Sequence, residues 1–461
     1  MPRTLTDLKT EAQRRLAAGR FVEALKVYRL VLEGAPLDFD LRLEIADAFL
    51  MRKMTSQARA IYLAAAQHDT RSGNPLRALV AVKQLQELGV DVGPLVAAIA
   101  EKYCVGSQSL GRSVKPAPAD LSAAVRDDID LDYAMPETEV AAGLANMAAY
   151  TENIRNYPPL VPPIAIFSTL ERDAFVELVG LLDLVRCADG KAIIRQGTPG
   201  DAVYFVARGE VRVVRTVAGV SGEEQEQEQE HALARLGPGS LFGEMALLSS
   251  DPRGASVICE GPVDVLELKR ERVEQIAARM PNVAGAMGRF TRERLISNLL
   301  ATNPLFQPFD ETSRKQLLAR FTGHEVPRGT QFIEQGKPGT GLYVILQGKA
   351  EVLKWDGERY VSVATLGPGD VAGEISLVQE TPATATVQTT TPATLLFMAR
   401  ELFYPLVEAV PELLVHFARL SQARIEDTDF KLMQYRVTDD DFVEDLEEGE
   451  SELDGDDIVF I

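Results

Sequence analysis

The sequence predicts an α+β chain of several domains, with paired helices at the N-terminus followed by two copies of one antiparallel β-barrel. Its 461 residues, 46% of them hydrophobic, allow roughly three cores at about 150 residues each. Ala24 and Tyr28 recur as Ala58 and Tyr62, both displaced by 34 residues, a period typical of stacked helix pairs. Further on, Phe167, Gly190, Gly197, Tyr204 and Gly209 recur 139 residues later as Phe306, Gly329, Gly336, Tyr343 and Gly348. Five coincident displacements mark a second, larger repeat.

Around the first short repeat the chain reads Gly19, Phe21, Ala24, Leu25, Tyr28 and Leu32, closing at Pro36. This pattern resembles a tetratricopeptide (TPR) repeat, whose small alanines let paired helices approach closely. The second copy is weaker, with Lys53 and Thr55 where Gly19 and Phe21 stood and Thr70 in place of the proline. Further helices are expected to start at Pro75 and Pro94, since proline fits the first turn. The resemblance implies docking of a protein partner by residues 1–105; an ordinary helical bundle remains the alternative. Arg14-Arg15-Leu16-Ala17 superficially resembles the two-arginine inhibitor segment of cAMP-dependent protein kinase regulatory subunits. Its place in the first helix gives the simpler explanation of a solvated face.

Residues 106–163 read as a linker, broken by Pro116, Pro118, Pro136, Pro158, Pro159, Pro162 and Pro163, with an acidic stretch at 127–132. Residues 139–155 can form a short alanine-rich helix, expected beside the barrel that follows.

Past Phe167, short β-rich runs alternate with the repeated glycines, the spacing of an antiparallel barrel with tight turns. Later the displacement falls to 130 residues, because Gly243-Glu244 matches Gly373-Glu374. The first copy thus carries an insertion around residues 219–231, where the Glu-Gln run predicts a disordered hairpin loop. Then comes Phe242-Gly243-Glu244-Met245-Ala246-Leu247, and after it Arg253-Gly254-Ala255-Ser256. Both copies resemble the cyclic nucleotide-binding domain, a jelly-roll, cupin-like barrel, and this segment resembles its phosphate-binding cassette. The chemistry suits a cyclic phosphate monoanion, which needs one fixed cation and several backbone N–H donors. Arg253 would be the cation. The resemblance implies backbone donors from Gly243 to Ala246 and a ribose 2'-hydroxyl bound by Glu244. Gly254, where cGMP-selective members carry threonine, favours cAMP over cGMP.

The second copy departs from the cassette: Ala372 replaces the phenylalanine, Ala383 the arginine, and Thr340 stands where Asp201 stood. It is expected to bind weakly or not at all, and to pack on the first barrel through helices around residues 271–300. The expected divisions are residues 164–300 and 301–425 for the barrels and 426–461 for an acidic disordered tail, in which twelve of the nineteen positions from Asp439 to Asp457 are acidic.

A net charge of -20 argues against nucleic acid and anionic membrane surfaces as partners. No DNA-binding helix-turn-helix is evident after the barrels. Three dispersed cysteines indicate neither disulfides nor a zinc site, and no apolar run reaches a membrane span. A cytoplasmic protein without metal or catalytic set is expected. Three functions compete: a cAMP-gated adaptor acting through the TPR-like region or the tail, a scaffold with vestigial barrels, and a kinase regulatory subunit. Oligomeric state leaves no mark on the sequence.

Overall fold

The structure, a computed structural model, describes residues 3–112, 120–123, 135–151, 154, 157–164, 166–218, 228–243, 252–279, scattered positions between 285 and 306, and 308–447. Two compact units divide the chain, residues 1–291 and 292–461.

The first unit begins with helices α1 (Leu5–Ala17), α2 (Phe21–Gly34), α3 (Phe39–Met51), α4 (Thr55–Ser72), α5 (Pro75–Glu87) and α6 (Gly93–Tyr103). Their ends follow local chemistry. Thr4 and Asp7 form a reciprocal capping box before α1, Asp38 caps α3 at the Leu41 N–H, and proline occupies the first turns of α5 and α6. Gly19 leaves α1 at a φ of 76°, and Lys53, 34 residues on, holds the same left-handed region at 60°. The two turns thus share a left-handed backbone, with glycine at one and lysine at the other. Ala24, Tyr28, Ala58 and Tyr62 are all buried at the helix contacts.

The linker helix forms as α7 (Glu137–Ala149), but it packs on α2, α3 and α4 rather than beside the β-domain. Its stripe of Val140, Ala141, Leu144, Ala145 and Ala148 is buried there. Buried Arg42 of α3 donates Nη1 to the carbonyls of Met147, Ala148 and Tyr150, satisfying the open end of α7.

Next come α8 (Arg172–Leu181), β1 (Asp183–Cys187), β2 (Ala192–Ile194), β3 (Ala202–Ala218), β4 (Glu228–Leu236), β5 (Leu241–Phe242), β6 (Ser256–Lys269) and α9 (Arg270–Arg279). The strands form one six-stranded antiparallel sheet, ordered β1-β6-β3-β4, with β2 on β6 and β5 on β3. Among the described residues it does not close into the expected barrel. The long strands β3 and β6 pair along most of their length, with register breaks around Arg208, and β4 stays an edge. Glu228 to His231, expected within the inserted loop, extend β4 and pair back to Ala218; residues 219–227 lie outside the described residues.

Helices and sheet share one apolar core, in which Leu79 and Leu85 of α5 join Phe167, Phe175, Val203, Phe205, Leu266 and Leu268. Charges are buried at the same seam. Arg208 of β3 and Asp264 of β6 are 8% and 2% exposed, with Nε and Oδ2 3.0 Å apart but not aligned as a hydrogen bond. Arg186 of β1 bridges Asp264 at 3.6 Å to Asp47 of α3 at 2.7 Å, and Asp47 also accepts the Tyr62 hydroxyl. Burial raises the Asp264 carboxyl from its ordinary value, against the pull of Arg208 and Arg186.

In the second unit, α10 (Glu311–Leu318) precedes two four-stranded sheets, β11-β10-β13-β8 and β12-β9-β14-β7. These strands are β7 (Thr322–Val326), β8 (Gln331–Ile333), β9 (Gly341–Gln347), β10 (Ala350–Trp355), β11 (Tyr360–Leu366), β12 (Val371–Ala372), β13 (Thr386–Thr389) and β14 (Ala393–Ala399). Ile345 and Leu395 from one sheet meet Ala350, Leu366 and Val387 from the other in a common core. The remaining helices are α11 (Glu374–Val378), α12 (Arg400–Ala409) and α13 (Pro411–Glu447). Helix α13 continues well past residue 426, where the disordered tail was expected to begin. Pairs at i,i+4, Gln422 with Glu426 and Lys431 with Asp427, support it, and Lys431 Nζ donates to the Val363 carbonyl at 2.8 Å. Residues 448–461 lie outside the described residues, as does much of the expected coupling helix at 271–300. Among the described residues, no helix is long and apolar enough to cross a membrane.

Two outcomes are expected. Removing one partner of the seam, as in Asp264→Ala, strands a buried guanidinium and should cost ~3–5 kcal/mol in denaturant unfolding, whereas the double change Arg208→Met with Asp264→Leu should cost far less. His68, whose pKa is lowered to about 3 mainly by burial, then by Arg77, Arg42 and Arg71, takes up a proton only on unfolding between pH 6.5 and that value. Stability is therefore lost as pH falls, by about 1.4 kcal/mol per pH unit, and His68→Phe should remove that slope from unfolding curves compared across this range.

Candidate functional site

Phe242 ends β5 opposite Tyr204 of β3, and the two rings stack at 5.2 Å and 17°. The Tyr204 hydroxyl is pushed to higher pKa by burial, then by Glu267 of β6, so it stays protonated. Gly243 follows with a φ of 81°. A Cβ there would stand 3.0 Å from Arg253 Nη1 and 3.1 Å from the Ala202 carbonyl, so glycine is required both by the backbone and by the guanidinium beside it.

Arg253 is fixed at both ends. Its N–H donates to the Thr198 carbonyl and its own carbonyl accepts from Gly197, each at 2.8 Å. The half-buried guanidinium donates Nη1 to the Gly243 carbonyl at 2.9 Å and Nη2 to the Ala202 carbonyl at 2.8 Å. The following residues hold the turn: the Gly254 carbonyl accepts from Arg215 at 3.2 Å, Ala255 leads into β6, and the Ser256 hydroxyl accepts the Gln196 N–H at 2.9 Å. The result is a positioned cation beside a glycine turn, able to hold an anion. Glu244, Met245 and Ala246 lie outside the described residues.

The second unit repeats three of these hydrogen bonds. Ala383 donates to the Lys337 carbonyl and accepts from Gly336, as Arg253 does with Thr198 and Gly197; Thr386 accepts the Gln335 N–H, as Ser256 does from Gln196. Gly373 keeps its left-handed turn, with a φ of 90°. The chemistry differs at two described points, and the second unit adds a buried ion pair. No cation stands at Ala383. Ala372 cannot stack on Tyr343, which instead packs on Phe397 at 4.8 Å, the residue in the place of Glu267. And Glu374, 1% exposed, is paired with Arg424 of α13 at 2.7 Å, within a cavity of about 250 Å³ that Ala383 and Thr384 also line. Sequence reasoning missed Arg424, because a lone arginine fifty residues downstream carries no local signal. Among the described residues no group of acids, histidines and cysteines could hold a metal ion.

The family model of the cyclic nucleotide-binding domain matches residues 184–280 and 324–409. The chain therefore carries two cyclic nucleotide-binding domains in tandem, behind an N-terminal helical region. Two of its curated relatives are regulatory subunits by name. The cAMP-dependent protein kinase regulatory subunit of Yarrowia lipolytica is 30% identical over 54% of this chain and 60% of its own length; that of Schizosaccharomyces pombe is 30% identical over 49% and 53%. The chain thus spans little more than half the length of these relatives. A solved regulatory domain of Toxoplasma gondii PKA with cAMP aligns over 55% of this chain and 92% of its own, at 25% identity and a TM-score of 0.26.

Gly243→Ala is expected to lower stability by ~1–2 kcal/mol through its left-handed backbone alone, with the guanidinium displaced as well. Gly254→Ala, whose Cβ would meet nothing within 4 Å, should stay within about 0.5 kcal/mol of the parent; thermal melts of the two variants side by side make the comparison.

Proposed function

We propose that this chain is a cyclic-nucleotide-responsive regulatory protein whose first β-domain is the receptor and whose second is not. The observation that carries the proposal is the Arg253 guanidinium, held beside Gly243 by two backbone carbonyls. In this reading Arg253 pairs with the cyclic phosphate and the backbone from Gly243 through Met245 to Ala246 supplies N–H donors. Glu244 takes the ribose 2'-hydroxyl, Phe242 backs the cassette against Tyr204, and Gly254 to Ser256 fix the turn. Gly254 favours cAMP over cGMP. The second site, with Ala383 in the place of the cation, does not retain a cyclic phosphate.

The relatives favour a protein kinase as the regulated partner, since they are cAMP-dependent protein kinase regulatory subunits by name. Arg14 and Arg15 do not supply the inhibitory segment in this proposal, because they lie in α1, paired with Glu11 and Glu23. A second output is favoured by the shared core of helices and first β-domain: the helical region, if a TPR-like docking surface, would feel changes at the sheet directly. The cytoplasm suits a protein with this function and free cysteines. The five segments drawn from the sequence, 1–105, 106–163, 164–300, 301–425 and 426–461, form part of the same proposal.

Isothermal titration tests it. One cAMP per chain is expected, bound more tightly than cGMP and weakened at least tens-fold by Arg253→Ala, since an unpaired buried charge is worth ~2–5 kcal/mol. No heat with either nucleotide would leave a scaffold. The kinase arm is read by adding the chain to a cAMP-dependent protein kinase catalytic subunit: inhibition relieved by cAMP supports it, and unchanged activity shifts the output to the helical region.

A further inference from the structure

A second guanidinium stands beside the receptor site. Arg215 of β3 donates Nε to the Gly254 carbonyl at 3.2 Å, one residue beyond Arg253. Its side chain is exposed, and among the described residues it has no carboxylate within ion-pair distance and no hydrogen bond from Nη1 or Nη2. Arg212 on the same strand, by contrast, reaches Glu230 and Glu260. A guanidinium is a planar fork of N–H donors, so Arg215 is anchored by one donor and keeps the others for a ligand. The space beside its anchor is open, since a Cβ on Gly254 would meet nothing within 4 Å.

The second unit shows where this strand position leads. Leu353 pairs with Thr386 as Val214 pairs with Ser256, and the Trp355 N–H donates to Gln335 Oε1 at 2.8 Å as Thr216 does to Gln196 at the same distance. Lys354 is therefore the counterpart of Arg215. It lines the cavity of the second unit together with Gly373, Ala383 and Thr384, the counterparts of Gly243, Arg253 and Gly254. By this repeat Arg215 belongs to the wall of the site that Arg253 opens. A 3',5'-cyclic nucleotide has one free ribose hydroxyl, which the reading above gives to Glu244, so the base is what remains for the fork. Guanine presents O6 and N7, two acceptors side by side, whereas adenine presents N7 beside an amino donor that would face the fork donor to donor.

We propose that Arg215 is the purine-reading residue of the receptor site, pairing its free donors with O6 and N7 of a 6-oxopurine. The inference rests on the receptor reading of the first β-domain. It offsets part of the preference for cAMP that Gly254 sets, because it favours the other purine. An exposed side chain can turn aside from adenine into solvent, so cAMP loses little by its presence.

The test titrates the full chain with cAMP, cGMP and cyclic inosine monophosphate, which carries O6 and N7 but lacks the 2-amino group of guanine. In Arg215→Ala, cGMP and the inosine nucleotide are expected to weaken about tenfold or more, while cAMP changes by less than about threefold. Arg215→Lys keeps the charge without the planar fork, so it should lose the 6-oxopurines nearly as far. Equal weakening of all three nucleotides would reduce Arg215 to a general attraction for the phosphate and overturn the proposal. So would weakening of cGMP with the inosine nucleotide unaltered, which places the contact at another edge of the base, or no change in any of the three. A parent chain that binds none of them removes the receptor reading itself and this inference with it, whereas the other outcomes leave that reading standing.

Discussion

Burying Arg208 and Asp264 together constrains the whole first unit. Neither charge could be desolvated alone, and their mutual attraction is completed by Arg186 and Asp47, which belong to different layers. The helical layer therefore cannot slide over the sheet without separating charges in a low-dielectric seam. Apolar packing of α5 against the sheet supplies adhesion without direction, and the ion pairs supply the register. Strand β3 links the two regions, since it carries Ala202, whose carbonyl accepts from Arg253, and Arg208, which holds the seam.

The two β-domains separate scaffold from chemistry. Backbone hydrogen bonds around the cassette turn are the same in both, and they depend on glycines at left-handed positions rather than on the side chains that would meet a ligand. The second unit has neither the cation nor the stacked aromatic of the first. Phe397 in the place of Glu267 fills the space that Ala372 vacates. Glu374, by contrast, is present and buried, and a buried carboxylate needs a cation. Arg424 supplies it from α13, so that long helix is tied to the second cavity by electrostatics as well as by packing.

The sequence by itself determined the number and kind of building blocks. Alanine and aromatic positions at a period of 34, and glycines at a displacement of 139, report backbone geometry and small-residue contacts, which are local and leave periodic marks. The candidate cassette was legible for the same reason: Phe242, Gly243 and Arg253 fall within a dozen residues, and an aromatic, a glycine turn and a cation are each recognisable as residue types. What only the tertiary structure decided are pairings between distant segments. Arg424 with Glu374, Arg186 with Asp47, the packing of α7 on the helical layer, and the contact of Arg215 with Gly254 all arise from where separate elements are brought together. The continuation of α13 beyond residue 426 belongs with them, because the contact of Lys431 with Val363 anchors it and composition alone reads such an acidic segment as solvated coil. Charge pairing across a core has no sequence period, so it becomes visible only once the fold has closed around it.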